Sequence, residues 1–152
     1  MKLAEALVLR ADYQKRLEQL KARLVRNAKV QEGEKPAENP GELLKQVEEV
    51  ASQLEALIER INRTNAATPI TGYRTIAAAL ARRDILAVRR AVYAELAQAA
   101  TVTQDRYSKS EVKFKSTVSV SDMQAHADRL AKEYRELDTL LQSANWATDL
   151  FE

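Results

Sequence analysis

Cysteine is absent from this sequence, and glycine, proline and aromatic residues are scarce. The lack of cysteine excludes disulfide bonds, thiolate metal sites and thiol catalysis, and it is compatible with a reducing compartment. Only three glycines and three prolines interrupt the 152 residues, which favours long helices. Aromatic side chains make up 5% of the chain, so we expect a core built from Leu, Ile, Val and Ala.

A large charge of one sign and long apolar runs are missing as well. The formal net charge is only +2, which gives no general attraction to nucleic acid or anionic lipid. No apolar run approaches the roughly 20 residues that a membrane-spanning helix needs. The first residues also lack the apolar stretch and cleavage pattern of a signal peptide. We therefore expect a cytoplasmic protein with no transmembrane segment.

What is present is a strong helical pattern. Heptad spacing of apolar residues predicts an all-α fold in a single domain over residues 1–152. The first two helices, one basic and one acidic, are expected to form a long antiparallel hairpin or coiled coil around a polar loop with Gly33 and Pro36. The third helix is apolar on more than one face, which is typical of a helix with several neighbours. The bundle of about four helices is predicted at residues 2–28, 40–65, 75–106 and 121–145.

One short segment has a different period. Over residues 111–120 apolar and polar side chains alternate, as in a β-strand. No second strong strand occurs in the sequence. We therefore expect this segment to pair with the same segment of another protomer across a two-fold axis, in a homo-oligomer. The alternative is docking against residues 68–75 of the same chain. The apolar side of the predicted oligomer strand consists of Val112, Phe114, Val118 and Val120.

A candidate anion-binding site lies near the end of the second helix. Polar residues replace the apolar stripe there, at Asn62, Arg63 and Asn65. Arg82 and Arg83 of the third helix could face the same region. Guanidinium groups brought together in this way can hold a phosphate or a carboxylate. The alternative, which we prefer, is helix capping by Asn65 and ion pairs of the arginines with nearby carboxylates.

The sequence carries no arrangement typical of an enzyme. His126 is the single histidine, and with Asp122 four residues earlier it offers too few ligands for a metal. Glu48 and Glu49 are adjacent, so they point apart on a helix. Neither a glycine-rich phosphate loop nor a nucleophile motif occurs. We therefore expect no enzymatic activity, no catalytic residues, no metal and no cofactor.

Several blocks together resemble the septicolysin-like family of small bacterial helical proteins. They are "MKLAEALVLRAD", "RNAKVQEGEKPAENP", "INRTNAAT", "LARRD", "DRYSKSEVKF", "STVSV" and "ANWATDL", and they extend over essentially the whole chain. The resemblance implies kinship with proteins named after a cytolysin.

Three functions are therefore considered. The first is a homo-oligomeric coiled-coil scaffold or protein-interaction module. The second, implied by the resemblance, is a pore-forming or membrane-active protein. The third is binding of RNA or another polyanion by the basic first helix. The signal for nucleic acid is weak, because no aromatic side chains are interleaved with the basic ones.

Overall fold

The computed structural model describes residues 1–102 and 112–152, and this part of the chain forms four α-helices. The predicted all-α, four-helix fold is confirmed. The helices are α1 (Leu3–Arg26), α2 (Pro40–Ala67), α3 (Ile76–Ala100) and α4 (Val120–Ala147).

Local capping fixes where the middle helices begin. The Asn39 side chain accepts a hydrogen bond from the Gly41 amide at 2.8 Å, and Pro40 takes the first helical position of α2. Thr75 caps α3 in the same way, accepting from the Ala78 amide at 3.1 Å. Both caps satisfy amides that have no partner within the helix. The starts of α2 and α3 agree with the predicted starts to within one residue.

The end of α3 and the start of α4 differ from the predicted positions. Helix α3 ends at Ala100, and the Thr101 hydroxyl donates a hydrogen bond of 2.9 Å to the Ala97 carbonyl. The predicted continuation of the helix over residues 101 and 102 is therefore wrong, and residues 103–106 lie outside the described residues. Helix α4 begins at Val120, earlier than predicted, because Ser119 rather than Ser121 caps it.

The predicted strand does not form among the residues that the structure describes. Glu111 lies outside the described residues, residues 112–119 carry no strand, and Val120 is already helical. The Ser116 hydroxyl bonds both to the carbonyl of Val118, at 2.5 Å, and to its amide, at 3.3 Å. Local bonds of this kind compete with extended backbone, so the alternation ends in a bend that leads into α4. Pairing with another protomer is not tested by a single chain and stays a prediction.

The helices pack as two hairpins. Helix α1 packs along α2 (hairpin 1), and α3 packs along α4 (hairpin 2), whereas contacts between the hairpins are fewer. The hairpins meet at one end, where the Leu3 amide donates to the Thr148 carbonyl and the Ile76 amide to the Thr68 carbonyl, both at 2.9 Å. Between α2 and α3, a single antiparallel bridge joins Ile70 to Tyr73 around Gly72. The loop that connects α1 to α2 lies at the opposite end of hairpin 1.

Two separate apolar cores follow from this arrangement. The smaller core lies in the outer half of hairpin 1 and consists of Leu20, Leu43 and Val50. The outer half of hairpin 1 therefore depends on its own contacts. The main core lies where the hairpins meet, and its buried residues are Leu3, Ala6, Leu57, Ile61, Ile76, Ala79, Leu86, Leu130, Leu137, Leu141 and Leu150.

The predicted charge complementarity of α1 and α2 is not expressed as ion pairs. Within residues 1–102 and 112–152, no salt bridge joins a side chain of α1 to one of α2. The nearest case is Arg23, which pairs with Glu38 in the connecting loop. Its hydrogen bond lowers the pKa of the Glu38 carboxyl and raises that of Arg23. Asn27 fixes the same corner by bonding the Arg23 carbonyl and the Glu38 amide.

Candidate interaction surface

Arg63 does not point into an open anion site. Its guanidinium donates to the Glu59 carboxylate at 2.8 Å and to the main-chain oxygen of Glu152. Asn62 is exposed and Asn65 is half-buried on the same turn. The positive charge at this end of α2 thus already has a carboxylate and a carbonyl as partners.

Arg82 and Arg83 face α4 instead of α2. Arg82 lies 3.3 Å from Glu133, and Arg83 donates to Asp138 at 2.8 Å. Arg83 is the more enclosed of the two, and its Nε is buried without a hydrogen bond. The three predicted arginines therefore have separate carboxylate partners. This geometry favours the ion-pair interpretation, and anion binding stays an untested prediction.

The surroundings of Arg63 are built by residues 148–152, which we call the clasp. The Phe151 amide donates to the hydroxyl of fully buried Thr64, and the Phe151 carbonyl accepts from Arg60, both at 2.9 Å. At the other side of the clasp, Lys2 forms a salt bridge of 2.8 Å with Asp149 and lowers the pKa of that carboxyl. The clasp ties the start of α1 to the end of α2. The sequence predicts no helix or strand for these residues, and their contacts appear only in the fold.

His126 has a structural environment. Its ring stacks on Tyr93 with centroids 4.9 Å apart, and Arg129 contacts its Nδ1. Within the described parts of the chain, no group of three or more histidine, aspartate or glutamate side chains could hold a metal ion. His126 therefore joins α3 to α4 by aromatic contact.

The apolar residues of the predicted strand fall into two groups. Phe114 is 80% exposed and Val112 is 67% exposed. Val118 and Val120 are half-buried at the start of α4. The structure therefore does not bring the four residues together as one covered face.

A row of exposed apolar side chains lies on α3, on the side that faces away from α4. Ile85, Val88, Val92 and Leu96 are 54%, 58%, 59% and 39% exposed. We call these four residues the outer α3 face. The excess of apolar residues on α3 was visible in the sequence, where it predicted several neighbouring helices. Instead α4 covers one side, α2 contacts α3 less extensively, and the second apolar side faces solvent.

The corresponding side of α4 is polar. Its exposed residues include Asp128, Lys132, Arg135 and Gln142, and Trp146 is the large apolar exception near the helix end. The solvent-facing side of α3 is thus apolar and that of α4 is mainly polar, although both helices are buried on the sides that face each other. A solvated helix ordinarily has the α4 pattern, and the outer side of α3 departs from it.

The molecule as a whole exposes much surface for its mass. Its accessible area is 11398 Å², whereas a compact monomer of 17.1 kDa exposes about 7,800 Å². The difference, about 3,600 Å², exceeds the roughly 1,600 Å² that a standard protein interface buries in total. An elongated chain of this shape has ample area for association.

A shallow groove of about 270 Å³ lies on hairpin 1. It is lined by Leu17, Ala51, Leu54 and Ile58, with Glu55 at its side. The groove is open and carries no convergent polar groups, unlike a typical small-molecule site.

The fold and these surfaces define a class: a small helical protein of two hairpins, with an apolar face on α3 that no described helix covers. No described helix is both long enough and apolar enough to cross a membrane. The model of a family of unknown function, DUF6847, matches residues 10–150. The chain belongs to this family.

A solved structure shares the whole fold. It is the crystal structure of a functionally unknown conserved protein from Corynebacterium diphtheriae, with 46% sequence identity and a TM-score of 0.93. The similarity covers 99% of each chain. No curated protein matches the sequence.

Proposed function

We propose that this protein is a homo-oligomeric helical scaffold that acts by binding proteins, beginning with further copies of itself. The observation that carries the proposal is the outer α3 face, a row of half-exposed branched apolar side chains on an otherwise polar hairpin. Covering such a row removes apolar area from water at a gain of about 25 cal/mol per Å².

The oligomeric state tests the proposal directly. We expect the parent protein to have at least twice its 17.1 kDa mass in light scattering at micromolar concentration. Val88→Asp should reduce the mass to that of a monomer with unchanged helicity, because Val88 is 58% exposed in the single chain. The matched control is Val8→Asp on α1, at a position that is 66% exposed.

The two variants separate association from folding. Val8→Asp should keep the oligomer, since Val8 lies outside the outer α3 face. A monomeric parent, or a Val88→Asp variant that keeps the parent mass, would contradict the proposal.

A second candidate function is binding of RNA or another polyanion by α1. Lys15, Arg16 and Arg26 are exposed and form no salt bridge with α2. They are thus available to phosphates, although aromatic stacking partners are lacking. Lys15→Glu with Arg16→Glu should weaken a salt-dependent shift with single-stranded RNA, and Arg129→Glu on α4 should not. Absence of a shift for the parent at low salt would exclude this function.

Kinship with septicolysin-like proteins, and the membrane activity that it implies, stay predictions. Leakage of dye from liposomes measures that activity. Leakage caused by the parent protein would favour the membrane-active function over the scaffold.

A further inference from the structure

We infer that the outer α3 face pairs with the same face of a second copy as a parallel, in-register, two-stranded coiled coil. Reciprocal ion pairs between Asp84 and Arg89 flank this seam. The inference rests on the proposed homo-oligomer and adds the orientation and register of its partner. The heptad positions of α3 and the charges beside them support it.

Three of the four residues of the outer α3 face follow one heptad frame, and the fourth, Leu96, falls at the e position beside it. With Ile85 and Val92 at a positions, Val88 takes the d position between them. Ala81 and Ala99 continue the frame toward the two ends of the helix, and both are exposed. The seam therefore runs along about five turns of α3, opposite the side that packs on α4.

The side chains at the a positions suit a two-stranded coiled coil. Ile85 and Val92 are the β-branched residues that are typical of a in parallel dimers, although such dimers ordinarily have leucine at d, where α3 has Val88 and Glu95. Ala81 and Ala99 are small, so they allow the two helices to approach closely at both ends.

The charges beside the seam favour the parallel orientation. Asp84 falls at g and Arg89 at the following e, and in a parallel pair these positions lie next to each other across the interface. Two-fold symmetry makes this ion pair twice. Asp84 is exposed, with Arg83 at 3.6 Å as its neighbour, and Arg89 forms no salt bridge within the described residues. In an antiparallel pair the e positions of one helix lie beside the e positions of the other. That orientation brings two positively charged side chains together, Arg82 of one copy and Arg89 of the other.

Glu95 gives the seam a polar layer. It occupies the d position after Val92 and is exposed. In the parallel register the two Glu95 carboxylates face each other across the axis, which weakens the pair. Replacement of Glu95 by leucine should therefore tighten the dimer, by about tenfold in dissociation constant for a gain of about 1.4 kcal/mol.

Disulfide trapping tests the orientation, because the chain has no cysteine of its own. In a parallel, in-register pair, Ala81→Cys and Ala99→Cys should each form a disulfide with the same residue of the second copy. The two positions lie about 27 Å apart along one helix, and a disulfide needs Cα atoms within about 7 Å. An antiparallel pair can bring at most one of them next to its own equivalent. Ala125→Cys, on the exposed side of α4, is the control and should stay uncrosslinked.

Charge exchange gives an independent readout. Asp84→Arg and Arg89→Asp should each weaken dimerisation by about tenfold, and the double exchange should restore it, since the ion pair is then reversed.

The outcomes separate the inference from the proposed function. Self-crosslinking at both alanine positions with charge rescue supports the parallel seam. A parent that is dimeric by mass but crosslinks at one position or neither, or shows no rescue, overturns the seam and leaves the scaffold intact. A monomeric parent overturns both.

Discussion

Leu20→Ala tests whether the outer half of hairpin 1 is a separate cooperative unit. Leu20 is 2% exposed and belongs to the small core with Leu43 and Val50. The change removes three carbon atoms from a buried position, and Leu→Ala changes of this kind cost 2–5 kcal/mol. We expect a loss of about 3 kcal/mol, which corresponds to a fall of about 6–12 °C in Tm for a chain of this size.

Hydrogen exchange locates that loss. Because the small core is separate from the main core, amides in the outer halves of α1 and α2 should exchange faster, and those of α3 and α4 should not. The control is Leu44→Ala, at a position that is 51% exposed and should change stability by no more than about 0.5 kcal/mol. A uniform increase of exchange in all four helices would show one cooperative unit and refute the reasoning. Equal Tm losses in the two variants would show that Leu20 is not buried.

Three further predictions concern a cap, a carboxyl and an arginine. Ser119→Ala should cost about 1 kcal/mol in chemical denaturation, whereas Ser121→Ala should cost much less; the reverse order would contradict the observed cap. Arg23 lowers the pKa of Glu38 below its ordinary value of 4.5. The ion pair therefore stabilises the fold at pH values above 4.5, and this stabilisation is lost as the pH falls through the lowered pKa. Glu38→Gln should therefore reduce the dependence of Tm on pH below about 5, and an unchanged dependence would show that the pair does not persist in solution. Because the Arg83 guanidinium already bonds Asp138, sulfate should raise the Tm of the parent and of Arg83→Ala equally; a larger rise in the parent would indicate an anion site.

The helices themselves were predictable because their signals are local. Asn39 before Pro40, and Thr75 before an apolar run, mark helix starts that depend on the nearest few amides. Ser119 and Ser121 show the limit of this reasoning. Both are cap residues by type, and the alternation over residues 111–120, which predicts a strand, puts the predicted start of the helix at residue 121. The local bonds of Ser116 end that alternation instead.

The partners of the candidate anion-binding arginines were not predictable, because they lie far away in the chain. Nothing near Arg63 in the sequence indicates that its partner is the main chain of Glu152, 89 residues later. Likewise, Arg83 meets Asp138 across 55 residues. The sequence shows which residues carry charge, but an ion pair forms only where the fold brings two of them together.

By itself the sequence determined the helical class, the breaks between helices and the faces that must avoid water, because propensity, capping and periodicity act within a few residues. Tertiary structure decided which apolar helix faces are buried against another helix. Helix α3 has two apolar sides, and α4 fills one of them through Leu86 and Ala97, which are buried. The side with Ile85 and Val88 is left to solvent, because the hairpins meet mainly at one end and no other helix in the described part of the chain covers it. Periodicity shows that a helix face is apolar, whereas only the positions of the other helices determine what covers it.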